Sequence, residues 1–132
     1  MDLKWPLRIA ADRRNGVILL ALAGRLGAAS AARFEAAVAD AVGGGNSRLV
    51  IDLTGVDYVS SAGLNALAAA AGRCTRAGGA LAICGLGEPV RIALDLAGLL
   101  PDLRIEPSRD EAIASLARLQ EAASAEDDGP RR

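Results

Sequence analysis

Two adjacent serines, Ser60 and Ser61, precede Ala62-Gly63-Leu64-Asn65 at a point where a strand-like run gives way to a helix-like one. A helix start presents unpaired backbone N–H groups and the positive end of the helix dipole, so it favours a capping hydroxyl or an anion. One serine can be the N-cap. The other then lies in the first turn, where a phosphate on its oxygen would sit near the same donors. Phosphorylation would add a charge of about −1.5 to −2 with little need to refold the helix. Taken alone, a serine pair reads only as capping and small first-turn residues.

The other chemistry-bearing residues lead less far. Asp52 and Asp57 could form a metal or acid/base pair, but carboxylates at a strand end more often fix loop backbone, and Asp57 can shape the Ser61 loop. There is no histidine in the chain, which removes the usual base for a serine or cysteine nucleophile and the commonest metal ligand. No catalytic residue and no metal ligand is therefore assigned, and the chain is not read as an enzyme. Gly85-Leu86-Gly87 lacks the third glycine of a dinucleotide fingerprint, Val90 standing in its place. Gly43-Gly44-Gly45-Asn46 lacks the Lys-Ser/Thr ending of a phosphate loop and follows a helix where such a loop follows a strand. No cofactor is expected. Arg73 and Arg76 read as a solvated helix face, and Cys74 and Cys84 as buried thiols.

The elements that position Ser60 and Ser61 follow from periodicity and punctuation. Residues 7–11 and 17–23 read as strands of an opening hairpin around a turn at residues 12–16, the second apolar on both faces as a covered central strand should be. After Gly24-Arg25-Leu26-Gly27, Ser30 can cap a helix whose Phe34, Ala37, Val38 and Ala41 recur at helical spacing, ending at Gly43-Gly44-Gly45. Residues 49–53 form a buried strand, and residues 54–60 lead from it to a helix starting near Ser60 or Ser61. Leu64, Leu67, Ala68, Ala71 and Cys74 are its expected inner stripe. A strand follows at residues 80–84. Pro89 sits in the first turn of a third helix, with Val90, Ala93, Leu94 and Ala97 inward and Gly98 at its end. A last strand is expected at residues 103–105, and a final helix is opened by a capping box of Ser108 and Glu111 and runs through Ile113, Leu116 and Leu119.

The resulting order, β-β-α-β-α-β-α-β-α, predicts one α/β domain over residues 1–120, built on a mixed, mostly parallel sheet of four to five strands with four to five helices. Residues 121–132 read as a disordered polar tail.

Composition narrows the function. The chain of 132 residues is 52% hydrophobic and 23% charged, apolar enough for one core. Only Trp5, Phe34 and Tyr58 are aromatic, which disfavours a base-stacking platform. Fifteen basic and sixteen acidic residues give a net charge of −1 with no basic stripe, so nucleic acid is not an expected partner. No apolar run approaches the roughly 20 residues of a membrane span, and the charged, proline-broken start has no h-region; membrane insertion is not expected, and the location is read as cytoplasmic.

The segment Asp52-Leu53-Thr54-Gly55-Val56-Asp57-Tyr58-Val59-Ser60-Ser61-Ala62-Gly63-Leu64 closely resembles the STAS domain, the family named for sulfate transporters and anti-sigma factor antagonists. That family typically shows Asp-Leu-Ser/Thr-x-Val, a short loop, then Asp/Ser-Ser-Ser/Ala-Gly-Leu. The resemblance extends to Gly24-Arg25-Leu26, Gly78-Gly79, Pro89-Val90-Arg91, Leu96-Ala97-Gly98-Leu99 and Pro107-Ser108, over roughly residues 7–119. Ser60 stands where many members carry an aspartate, and Gly27-Ala28 where many carry an acid. The resemblance implies an anti-sigma factor antagonist in a bacterial partner-switching pathway. It would bind an anti-sigma factor serine kinase, be phosphorylated by it on Ser61, and be restored by a metal-dependent serine phosphatase. The binding patch would surround Ser61 and include Asp57, Tyr58, Ser60, Ala62, Gly63 and Asn65, with Gly24, Arg25 and Leu26 close by across the strand ends. A phosphorylation-independent accessory subunit of a transport or other regulatory complex is the alternative, and a nucleotide or small-molecule sensor a weaker third.

Overall fold

The computed structural model describes residues 7–45 and 47–128. Strands β1 (Leu7–Arg14) and β2 (Val17–Leu26) form an antiparallel hairpin. Its turn is only Asn15-Gly16, both at positive φ, 54° and 78°, as the right-handed twist of two adjoining strands favours. Because that pair suffices, Arg14 pairs with Val17 and both strands run longer than the sequence suggests.

The chain then alternates through α1 (Ala28–Gly43), β3 (Arg48–Val59), α2 (Ser61–Arg76), β4 (Ala80–Cys84), α3 (Glu88–Leu96), a short 3-10 turn (Leu100–Asp102), β5 (Arg104–Glu106) and α4 (Arg109–Asp128). The sheet order is β1-β2-β3-β4-β5, parallel from β2 onward. Each crossover steps to the next strand in the same direction, so right-handed connections place α1, α2 and α3 on one face. There Leu20, Leu22, Leu49, Ile51 and Ile83 pack with Phe34, Val38, Leu67 and Leu94. The alternate strand residues Val17, Leu19, Val50, Ala82 and Cys84 point the other way, where α4 covers them with Ala112, Ile113 and Leu116. The expected element order and mixed sheet are present, with five strands and four helices.

Several local expectations are corrected. Residues 54–59 are strand and not a loop leading to α2: β3 stays in the ladder to Val59, and Gly24, Arg25 and Leu26 are the end of β2, because each segment satisfies the other's backbone. Ser30 does not cap α1. Gly27, in extended conformation, is the N-cap, and Ser30 at the third helical position reaches back, its Oγ accepting from Gly27 N–H at 3.1 Å and donating to the Arg25 carbonyl at 2.8 Å. The inner stripe of α2 is Gly63, Ala66, Leu67, Ala70 and Cys74, with Leu64, Ala68 and Ala71 half-buried, because Gly63 takes the place against β2. In α3 Val90 and Leu94 are buried and Ala97 is exposed, and β5 begins one residue later than expected. Helix α4 is described as far as Asp128, past residue 121, where the polar tail is expected to start; residues 129–132 lie outside the described residues.

Candidate functional site

Two irregularities in the β2–β3 ladder shape the corner that carries Ser61. Between the pairs Ala21↔Asp52 and Ala23↔Gly55, β3 has one residue more than β2, and between Gly24↔Val56 and Arg25↔Tyr58 it has one more again. An extra residue resets which face the following side chains use. At the second site Val56 and Val59 point into the core while Asp57 and Tyr58 are both exposed, an arrangement that strict alternation forbids. Tyr58 is 49% exposed, a large apolar surface for a ring in a strand.

The turn from β3 into α2 is held by backbone. Ser60 N–H donates to the Leu26 carbonyl at 3.0 Å, and the Ser60 carbonyl accepts from Leu64 N–H at 2.8 Å. Ser60 is the N-cap, its Oγ accepting from Gly63 N–H at 3.3 Å. Ser61 is then the first helical residue, exposed, with no hydrogen bond from its hydroxyl among the described residues. Asn65 lies one helical turn on and is also exposed, Ala62 is half-buried, and Gly63 is buried against the end of β2. An alanine Cβ at Gly63 would lie 2.9 Å from Val59 Cγ1 and 3.0 Å from the Leu26 carbonyl carbon, and closer still to its oxygen. Only glycine permits this approach.

On the neighbouring strand the Arg25 guanidinium lies 5.5 Å from the Tyr58 ring centroid, a cation–π contact made possible by their register. The structure thus gathers Gly24, Arg25, Leu26, Asp57, Tyr58, Ser60, Ser61, Ala62, Gly63 and Asn65 around one corner of the sheet. Of these, Leu26 and Gly63 are buried and act as its floor.

The first irregularity is fixed by Asp52, which is 5% exposed. Its Oδ1 accepts from Thr54 N–H at 2.9 Å and Thr54 Oγ1 at 2.6 Å, while Oδ2 accepts from Arg109 Nε at 3.0 Å and a second guanidinium nitrogen at 2.7 Å. Burial pushes the carboxyl up, but the Thr54 and Arg109 hydrogen bonds outweigh it and hold Asp52 below the ordinary carboxylate value. The expectation that a strand-end carboxylate fixes backbone fits Asp52; its pairing with Arg109 at the start of α4 had no signal in the sequence. Gly85 completes the cluster: at φ 73° it leaves room where a Cβ would lie 2.6 Å from Asp52 Oδ1 and 2.7 Å from Thr54 N. Gly85-Leu86-Gly87 therefore serves packing and, through Gly87, the N-cap of α3.

Both cysteines are free and buried. Burial raises the Cys74 thiol to about 11 against the opposing pull of Arg73, and burial, then the Asp52 charge, raises Cys84 to about 12. Among the described residues no three His, Cys, Asp or Glu side chains are grouped as a metal site, and no helix is long and apolar enough to cross a membrane.

A parallel-rich sheet with three crossover helices on one face and a closing helix on the other defines an α/β domain with its exposed corner at the strand C-termini. The STAS domain profile matches residues 8–112, and the chain belongs to the STAS domain family. BtrV of Bordetella bronchiseptica, named as an anti-sigma factor antagonist, is 32% identical over 109 residues, spanning 83% of this chain and 94% of BtrV. An anti-sigma factor antagonist from Mycobacterium paratuberculosis superimposes with a TM-score of 0.76 at 24% identity, over 83% of this chain and 93% of that one. The Bacillus cell fate determinant SpoIIAA in its phosphorylated form gives 0.65 at 14% identity, over 82% and 98%. At these identities the two structures speak for the fold.

Proposed function

We propose that this chain is an anti-sigma factor antagonist of a bacterial partner-switching pathway, acting in the cytoplasm as a binding module. It binds an anti-sigma factor that is a serine kinase, is released when that kinase phosphorylates Ser61, and is restored by a metal-dependent serine phosphatase. The observation that carries this reading is the division of labour at the corner: Ser60 is used as the cap, and Ser61 is exposed with an uncommitted hydroxyl. A phosphate on Ser61 would sit at the N-terminus of a 16-residue helix, where the dipole and first-turn N–H groups favour it, so the fold tolerates the modification. The docked partner would not: a dianion buried in an interface costs complex stability unless a cation meets it. The 32%-identical relative named as an anti-sigma factor antagonist supports the same reading.

The test is phosphorylation by the cognate anti-sigma factor kinase, mapped by peptide mass spectrometry, with binding compared for wild type, Ser61→Ala and Ser61→Asp. One phosphate on Ser61, none on Ser61→Ala, and at least about tenfold weaker binding by Ser61→Asp are expected, roughly 1.4 kcal/mol. Undiminished binding by Ser61→Asp together with an unmodified wild type would instead favour a constitutive accessory subunit.

A further inference from the structure

Beside Ser60 the surface opens into a cavity of about 420 Å³ lined by Arg25, Gly27, Ala28, Ala29, Tyr58 and Ser60, with Ser30 at its base. Arg25 is the one charged residue among those lining it. Asp57, next to Tyr58 along β3, is not among them, and the first turn of α1 holds no acidic side chain. Gly27 keeps the cavity open towards α2, since a Cβ there would come 3.3 Å from Ser60 Oγ. The Arg25 guanidinium stands over the Tyr58 ring, which limits its rotamers before any partner arrives. Ser30 is buried, but its hydroxyl is spent on Gly27 and Arg25 backbone, so it helps set the wall rather than bind.

We propose that this cavity is a socket for a carboxylate side chain, an aspartate or glutamate presented by the protein partner, with Arg25 as the receiving cation and Tyr58 as its apolar wall. The inference rests on the reading above for the partner's identity, and on the cavity alone for the chemistry. A guanidinium takes a carboxylate through two parallel N–H bonds, and its attraction rises as docking excludes water. An incoming lysine or arginine would meet like charge with no acid in the lining to offset it. The socket also supplies a means for the switch. Ser60 lines it and Ser61 is the next residue, so a phosphate on Ser61 places two negative charges at the rim of a site built to receive a third.

Two measurements on the full chain test this. The first is an NMR titration with N-acetylglutamate amide, and with N-acetyllysine amide as the contrasting probe, following the Ala28, Ala29 and Ser60 amides and the Arg25 Nε–H. Shifts that saturate with the glutamate probe at millimolar concentrations, vanish in Arg25→Ala and are absent with the lysine probe are expected. Absent shifts, or shifts unchanged in Arg25→Ala, overturn the socket. The second is binding to the kinase identified by the phosphorylation experiment, where Arg25→Glu is expected to weaken the complex about tenfold or more and Arg91→Glu, on exposed α3, to leave it within about twofold. Equal affinities for Arg25→Glu and wild type overturn the socket while leaving phosphorylation intact. If no kinase binds wild type, the functional reading fails, and the NMR titration still decides the chemistry of the cavity.

Discussion

Replacing Gly63 with alanine tests whether the Ser61 corner depends on backbone contact between α2 and β2. The new Cβ would lie 2.9 Å from Val59 Cγ1 and 3.0 Å from the Leu26 carbonyl carbon. Both neighbours belong to strands fixed in the sheet, so relief requires the start of α2 to move away by several tenths of an ångström or more. Overpacking of this kind costs about 1–3 kcal/mol. The same movement stretches the Ser60 N–H bond to the Leu26 carbonyl, worth about 1 kcal/mol. Against these stands the gain of alanine over glycine in a helix, up to about 1 kcal/mol. The expected net loss is about 2 kcal/mol. Gly72 in the same helix is the internal control, because a Cβ there meets only the mobile end of Arg76 at 3.2 Å. Gly72→Ala should therefore stabilise by about 0.5–1 kcal/mol. Urea unfolding followed by circular dichroism measures both, and equal stabilities for the two variants would refute the close-approach argument.

Two further outcomes follow from the cluster beneath the corner. Asp52→Asn keeps an acceptor for Thr54 but removes the charge facing Arg109, and should cost about 1.5–3 kcal/mol at neutral pH. Because the folded Asp52 carboxyl is held below its ordinary value of 3.8, this contribution is complete above that pH and fades as pH falls through the lower folded value. The gap between wild type and variant in urea unfolding should accordingly close below about pH 3.8; a gap constant with pH would sink the assignment. Cys74 and Cys84, raised to about 11 and about 12, stay protonated at pH 8 and should react with Ellman's reagent only as fast as the protein opens, yet promptly in guanidinium. Rapid reaction of either thiol in the native state would contradict their burial.

What could be read from the sequence was what local spacing encodes. Ser108 and Glu111, three apart, predicted the start of α4, and Ser108 Oγ does accept from Glu111 N–H at 3.2 Å. Pro89 and Gly98 bracketed α3, and the apolar run before Cys84 gave β4 residue for residue. What was not legible depends on partners distant in sequence. Whether residues 54–59 are loop or strand is settled by Gly24, Arg25 and Leu26 across the ladder, and a run containing threonine, glycine and aspartate gives no local sign of it. Asp52 meets Arg109 across 57 positions, and Arg25 meets Tyr58 only because an extra residue, Asp57, shifts the register. The site residues came from motif resemblance. Their division into floor and surface came from the fold.

That division bears on why two chemically identical hydroxyls one residue apart need not be equivalent. Ser60 is half-buried, its Oγ holds Gly63 N–H, and its backbone is tied to Leu26. A phosphate there would break a cap worth about 1 kcal/mol and crowd Gly27, so modification would be read as damage to the fold. At Ser61 the same group would meet solvent on one side and a favourable helix terminus on the other, so the fold would stay and only the surface charge would change. The reversible switch proposed above would need the second arrangement. On the proposed reading the requirement is a cap that is not the switch: Ser60 caps the helix, an extra residue in β3 lets Asp57 and Tyr58 both face outward, and Gly63 lies against Leu26, which would hold the helix start in place if Ser61 were charged.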